Sequence, residues 1–142
     1  MPRRDRVIAV VREWIEKAEN DLKNGVHTLK LGPRGPMDTV CFHAQQCLEK
    51  YLKALLASEG IDFPKTHDVG EILTLASGRV GLEISVSDQR RFTAYATVTR
   101  YPGTYEPITL AEARSAVSVA RRLRGRIRTL LPAEALRQRK KR

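Results

Sequence analysis

The sequence predicts an all-α fold: an up-and-down bundle of four main helices plus one short helix. Three observations predict it. Apolar residues recur at steps of three and four through four long stretches, as one buried helix face requires. Start and stop signals stand between those stretches: Asp68 with Glu71 and Thr109 with Glu112 have capping-box spacing, and Pro/Gly turns separate the runs. Only RVGLEISVS (79–87) alternates as a strand would. One short strand has no partner elsewhere in the sequence, so this segment reads as an extended loop.

The elements follow in order. Val7, Val11, Ile15, Ala18 and Leu22, with Trp14 beside them, place the first helix from about Asp5 to about Leu31, and Gly25 is expected to weaken or bend it. LGPRGPMD (31–38) ends it, because its prolines and glycines do not continue a helix. The second helix starts near Asp38 or Thr39 and runs to Ser58, with Cys41, Ala44, Leu48, Tyr51, Leu52 and Leu55 on its apolar face and Gly60 as its stop. After IDFPKTH (61–67), Asp68 caps a short helix from Val69 to Ala76, closed by Gly78. Ser87 is expected to cap a fourth helix through Phe92, Tyr95, Ala96 and Val98, which breaks at TRYPGTYEP (99–107). Thr109 caps the last long helix, which carries Leu110, Ala113, Val117, Ala120, Leu123, Ile127 and Leu130 ahead of Pro132. The expected domain spans 1–131, and 132–142 is expected to be a basic, disordered tail.

A chain of 142 residues, 42% hydrophobic and 30% charged, has the size and composition of one soluble globular domain. The first residues lack the apolar run of a signal peptide, and no window offers the ~18 uninterrupted apolar residues of a membrane span. A cytoplasmic location is expected. Cys41 and Cys47 lie six apart on one helix and point in different directions, so they are expected as buried, reduced thiols. Cys41 and His43, two apart, face away from each other, and no metal or cofactor is expected. The net charge of +10 is lopsided: from Thr109 onward there are 11 Lys+Arg against 2 Asp+Glu, and before it 15 against 14. Any acidic partner therefore concerns the last segment.

One line of residues raises a functional question. His43, Gln46, Lys50 and Lys53 fall within an arc of about 80° on the second helix, away from its apolar face. Such a stripe is either an ordinary wet face or one wall of a cleft.

Trp14 with Ala18, Asp21 and Leu22 in the first helix, then FHAQQCLEKYLKALL (42–56), FPKTHDV (63–69) and RYPGTYEPIT (100–109), together resemble the HEPN domain, over roughly residues 8 to 131. The resemblance implies a bundle of four or five helices that commonly dimerises. It also implies a nucleotide-binding, substrate-binding or toxin half of a two-gene, toxin–antitoxin-like module, beside a nucleotidyltransferase. Many toxins of this type are metal-independent ribonucleases in which four to six residues separate an arginine from a following histidine. None of the three histidines has an arginine at those positions: Leu22, Asp21 and Asn20 precede His27, Asp38, Met37 and Pro36 precede His43, and Asp62, Ile61 and Gly60 precede His67.

The expected reading is thus a non-catalytic partner of a nucleotidyltransferase that binds a nucleotide or a nucleotide-bearing substrate. Its candidate ligand-binding residues are His43, Gln46, Lys50, Lys53, His67, Arg100 and Tyr101. Lys50 and Lys53 offer cations for a phosphate, His43 and Gln46 directional hydrogen bonds, and Arg100 beside Tyr101 a fork and a stacking ring. Two bland readings stay open: Arg100 caps the end of the fourth helix while Tyr101 packs in the core, and His67 merely orients the loop before Asp68. The alternatives are a ribonuclease toxin with a displaced site, pairing Arg100 with His43 or His67, and a nucleic-acid-binding module acting through Arg137, Arg139, Lys140, Lys141 and Arg142. A homodimer is expected, with Phe92 and Tyr95 of the fourth helix on the shared surface.

Overall fold

The structure, a computed structural model, describes residues 2–76, 84–97, 103 and 106–137. The first helix, α1 (Arg3–Leu29), buries Ile8, Val11, Ile15, Ala18, Asp21 and Gly25 in a three-four rhythm. It runs unbroken through Gly25. At that glycine α1 and the next helix lie close together: a Cβ there would lie 3.4 Å from the His43 Cβ and 3.5 Å from the Val40 carbonyl oxygen. Its role is therefore close approach rather than a bend. A single 3-10 turn (Gly32–Arg34), with Gly32 at φ +73°, reverses the chain.

The next helix, α2 (Met37–Ser58), is the centre of the bundle. Fifteen of its 22 residues are buried, on every side, and α1 packs along it. A helix buried all round has no wet face to give, so Gln46 and Lys53 of the polar stripe are themselves buried. Gly60, at φ +70°, ends it, as the sequence predicts. Helix α3 (Val69–Ala76) has the predicted bounds, and the Glu71 amide donates to the Asp68 carboxylate at 2.9 Å.

Helix α4 (Val86–Thr97) starts one residue ahead of the expected cap. Ser85, not Ser87, caps it: the Asp88 amide donates to the Ser85 hydroxyl at 3.0 Å. Phe92 is 1% exposed, packed in the core against the Tyr95 ring at 5.6 Å between centroids. It offers no surface to a second copy, which removes Phe92 as the basis for the expected dimer. Helix α5 (Leu110–Arg128) starts at the predicted cap, with the Glu112 amide donating to the Thr109 hydroxyl at 3.1 Å, and packs chiefly on α2.

The packed body extends past the expected boundary at residue 131. A short turn of helix, α6 (Ala133–Leu136), lies on α1 with Ala135 buried, and the Arg12 guanidinium donates twice to the Glu134 carbonyl, at 3.1 and 2.6 Å. Burial of Ala135 and satisfaction of a helix-end carbonyl hold what the sequence reads as the start of the tail. Gly78, Val98, most of TRYPGTYEP and the basic residues Arg139 to Arg142 lie outside the described residues. Among the described residues no helix is long and apolar enough to cross a membrane.

Candidate functional site along the seam of the two long helices

Three carboxylates organise the polar side of the α1–α2 seam. Asp21 of α1 sits one step along the buried rhythm of its helix and meets two members of the α2 stripe. His43 Nδ1 donates to one of its oxygens at 2.8 Å, and Lys50 Nζ donates to the other at 2.5 Å. The two α2 side chains are each 22% exposed and the Asp21 side chain 11%, so a charge of each sign is held at a partly covered edge. Each removal from water is offset by a short charge-assisted hydrogen bond.

The second centre is Glu49, whose side chain is 3% exposed. Its carboxylate accepts from Gln45 at 2.9 Å, Lys53 at 3.1 Å and His67 Nδ1 at 2.8 Å, while Gln46 donates to the Gln45 side-chain oxygen at 2.7 Å. Gln45, Glu49 and Lys53 form an i, i+4, i+8 ladder along one helix. The Lys53 ammonium also lies 5.5 Å from the Trp14 ring centroid and 5.9 Å from that of Phe63, and those two rings meet edge to face at 6.2 Å. His67 reaches Glu49 from the loop before α3 with its own side chain 57% exposed. It therefore does more than orient that loop: it ties the loop to α2.

The third centre is Glu19. One of its oxygens accepts from the Tyr51 hydroxyl at 2.7 Å and from the Arg124 fork at 2.9 and 2.5 Å, with Arg128 at 3.3 Å, so α1, α2 and α5 meet on one carboxylate. Burial pushes the Glu19 carboxyl up. The hydrogen bonds from Arg124 and Tyr51 and the attraction of both arginines outweigh it, so the net shift is down. Burial and the Glu19 carboxylate push the Tyr51 hydroxyl up to about 12. Both cysteines are buried and free, and burial, with the Glu19 and Asp21 charges, pushes the Cys47 thiol up to about 12.

A lowered carboxylate pKa in the fold means stability that is present above the ordinary Glu range and lost as pH falls through the folded value. Glu19→Gln is accordingly expected to cost roughly 2 kcal/mol near neutral pH, the worth of hydrogen bonds to a charged group. The difference from the parent chain should close in acid below the ordinary carboxylate range. Urea unfolding of both chains at about pH 7 and about pH 3 checks it; a gap that stays constant with pH would show that Glu19 acts through packing alone.

The structure thus places five of the seven predicted residues on the seam. His43 and Lys50 converge on Asp21; Gln46, Lys53 and His67 converge on the Gln45–Glu49 pair. Arg100 and Tyr101 lie outside the described residues. What the sequence reading missed is the set of partners: Gln45, Glu49, Glu19, Arg124 and Arg128. The Gln45–Glu49–Lys53 spacing was a visible signal, since polar residues four apart inside a run of buried positions must satisfy one another. Two shallow hollows lie elsewhere: one of about 370 Å³ lined by Arg3, Arg6, Val7, Val10 and Ala57, and one of about 420 Å³ between α3 and α4. Among the described residues no group of three or more His, Cys, Asp or Glu is placed to hold a metal ion.

A bundle whose central helix carries an ion-paired polar seam against its first neighbour defines a small class of helical domain. The HEPN domain family model matches residues 11–130, and the chain belongs to that family. The crystal structure of an archaeal HEPN homologue is similar, with TM-score 0.61 and 27% identity over 84% of this chain and 95% of that one. No curated protein sequence matches significantly.

Proposed function

We propose that this domain binds a nucleotide, or a substrate bearing one, at the α1–α2 seam. It does so as the non-catalytic partner of a nucleotidyltransferase in a two-gene, toxin–antitoxin-like module. The observation that carries the reading is the convergence at Glu49: a buried Lys53 beneath the Trp14 and Phe63 rings, with an exposed His67 at the rim. Half-buried aromatic rings supply a stacking surface for a base, and the adjacent imidazole supplies a directional hydrogen bond. From Lys53 back to His43 the stripe spans ten helical steps, roughly 15 Å of helix. That is long enough for a base at the aromatic end to place its phosphates near Lys50 and His43.

Trp14 is the sole tryptophan of the sequence, so it reports on this end of the seam directly. Titration with ribonucleoside mono- and triphosphates is expected to give a saturable change in its fluorescence. Phe63→Ala should weaken binding about 10-fold, as loss of a stacking ring does, and His67→Ala should weaken it as well. No response to any of these nucleotides at millimolar concentration would sink the proposal. A nucleotidyltransferase encoded beside this chain is expected to co-purify with it on co-expression.

A second reading is favoured by one specific arrangement. His43 and His67 each present Nδ1 to a carboxylate, Asp21 and Glu49 respectively, which fixes the ring and leaves Nε2 for proton transfer. A ribonuclease with a displaced site would use one of these imidazoles with Arg100 to hold the phosphate. Incubation of the purified domain with labelled RNA is expected to leave it intact. Cleavage abolished by His43→Ala, His67→Ala or Arg100→Ala would reverse the order of the two readings.

A further inference from the structure

Several cations of the bundle are ion-paired: Lys50 with Asp21, Lys53 with Glu49, Arg124 and Arg128 both with Glu19, Arg4 with Glu134, and Arg91 with Asp88 on α4. The outer face of α5 is different. Arg114, Arg121 and Arg126 are exposed and, among the described residues, their side chains make no ion pair or hydrogen bond. Glu112 is the sole acidic residue of that 19-residue helix, against six arginines.

At about 100° and 1.5 Å per residue, Arg114 and Arg121 stand on one flank of this outer face, roughly 10 Å apart along the axis, and Arg126 stands on the other. Between the flanks lie Ser118 and Gly125, both exposed, and a Cβ added to Gly125 would meet nothing within 4 Å. Arg122, also exposed, stands between the two flanks and adds a fourth guanidinium to this face. Three uncompensated guanidinium groups at this spacing make a local field that a neutral body does not cancel, since the residues before Thr109 carry 15 Lys+Arg against 14 Asp+Glu.

We infer that the outer face of α5 is a docking surface for the phosphodiester backbone of a nucleic acid, separate from the nucleotide seam. The arginine fork matches a phosphate, and regularly repeated phosphates match a row of forks. The face carries no aromatic side chain to stack on bases, so it reads charge and not sequence. This moves nucleic-acid affinity from the terminal basic residues to a folded helix. The strand lies along α5.

The test uses the full chain and a short fluorescently labelled single-stranded RNA of mixed sequence, followed by anisotropy between about 50 and about 200 mM salt. Binding is expected, with affinity falling steeply as salt rises and indifferent to sequence. Arg114→Gln, Arg121→Gln and Arg126→Gln combined should weaken it at least 10-fold at low salt. The triple change should also flatten the plot of log affinity against log salt by about 2, the share of three phosphate contacts on a single strand. The matching triple change to Lys should keep most of the affinity, which separates loss of charge from damage to the helix. A chain ending at Leu136 should keep the greater part of the binding. The inference is overturned if the Gln variant binds and responds to salt as the parent does, if removing residues 137–142 alone abolishes binding, or if the parent chain does not bind at low salt. Because Trp14 fluorescence with mononucleotides reads the seam alone, either site can fail without the other.

Discussion

Replacing Glu49 with Ala is expected to destabilise the domain by roughly 3–5 kcal/mol, the cost of stranding one partner of a buried ion pair. In a domain of this size that lowers the melting temperature by roughly 10 °C or more. The residue is a hub rather than half of a pair. Its loss leaves the Lys53 ammonium, 9% exposed, with no carboxylate, the Gln45 amide with no acceptor, and His67 with nothing to hold its loop. Glu49→Gln should cost less, because an amide oxygen still accepts hydrogen bonds although it does not balance the ammonium. The decisive comparison is the double change Glu49→Met with Lys53→Met, which removes both charges and fills similar volume. It should recover most of the loss, since a buried pair replaced by apolar side chains is often neutral or better. Thermal melts of the three variants check the order. If the double variant is as unstable as Glu49→Ala, the ladder contributes through its geometry and not through charge balance. A stable double variant that no longer binds nucleotide would mark the ladder as retained for function.

The difference between what was legible in the sequence and what was not follows the range of the interactions. The caps of α3 and α5 were readable because a side chain and an amide three residues apart settle them: Asp68 with Glu71, and Thr109 with Glu112. The cap of α4 shows the same rule by its failure. Ser87 stands three residues ahead of Arg90, whereas Ser85 stands three ahead of Asp88, whose charge suits a helix N-terminus. The acidic residue three positions on is the signal that separates the two serines.

The seam was half legible. A line of polar residues on α2 could be seen, but whether it faces water depends on α1, whose Asp21 and Glu19 arrive from 22 and 32 residues away along the chain. Helix periodicity describes one helix at a time and is silent about which neighbour covers a stripe. For α2, covered by α1, α3, α4 and α5 together, the amphipathic pattern blurs because nearly every position is interior. Gly25 was likewise misread for want of its neighbour: alone it is a weak point in a helix, and beside Val40 and His43 it is the place where two helices touch.

Phe92→Ala is expected to cost about 3–5 kcal/mol, as loss of a fully buried ring does when its surroundings collapse only in part. The ring is 1% exposed, stacked obliquely on Tyr95, and lies on the face of α4 turned to α2. Removing it opens a cavity beside Tyr95, whose hydroxyl is buried. Burial pushes that hydroxyl's pKa up, so it stays neutral. Phe92→Leu should recover a large share by refilling volume. The same variants separate a core role from an interface role. A residue buried within one chain destabilises by the same amount at every protein concentration, whereas a residue at a contact between copies shifts the association equilibrium, and its cost then varies with dilution. Denaturant unfolding of the parent and Phe92→Ala chains over a wide span of protein concentrations should give one constant difference. A difference that changes with dilution would place Phe92 at a subunit contact and would require α4 to lie otherwise than it does against α2.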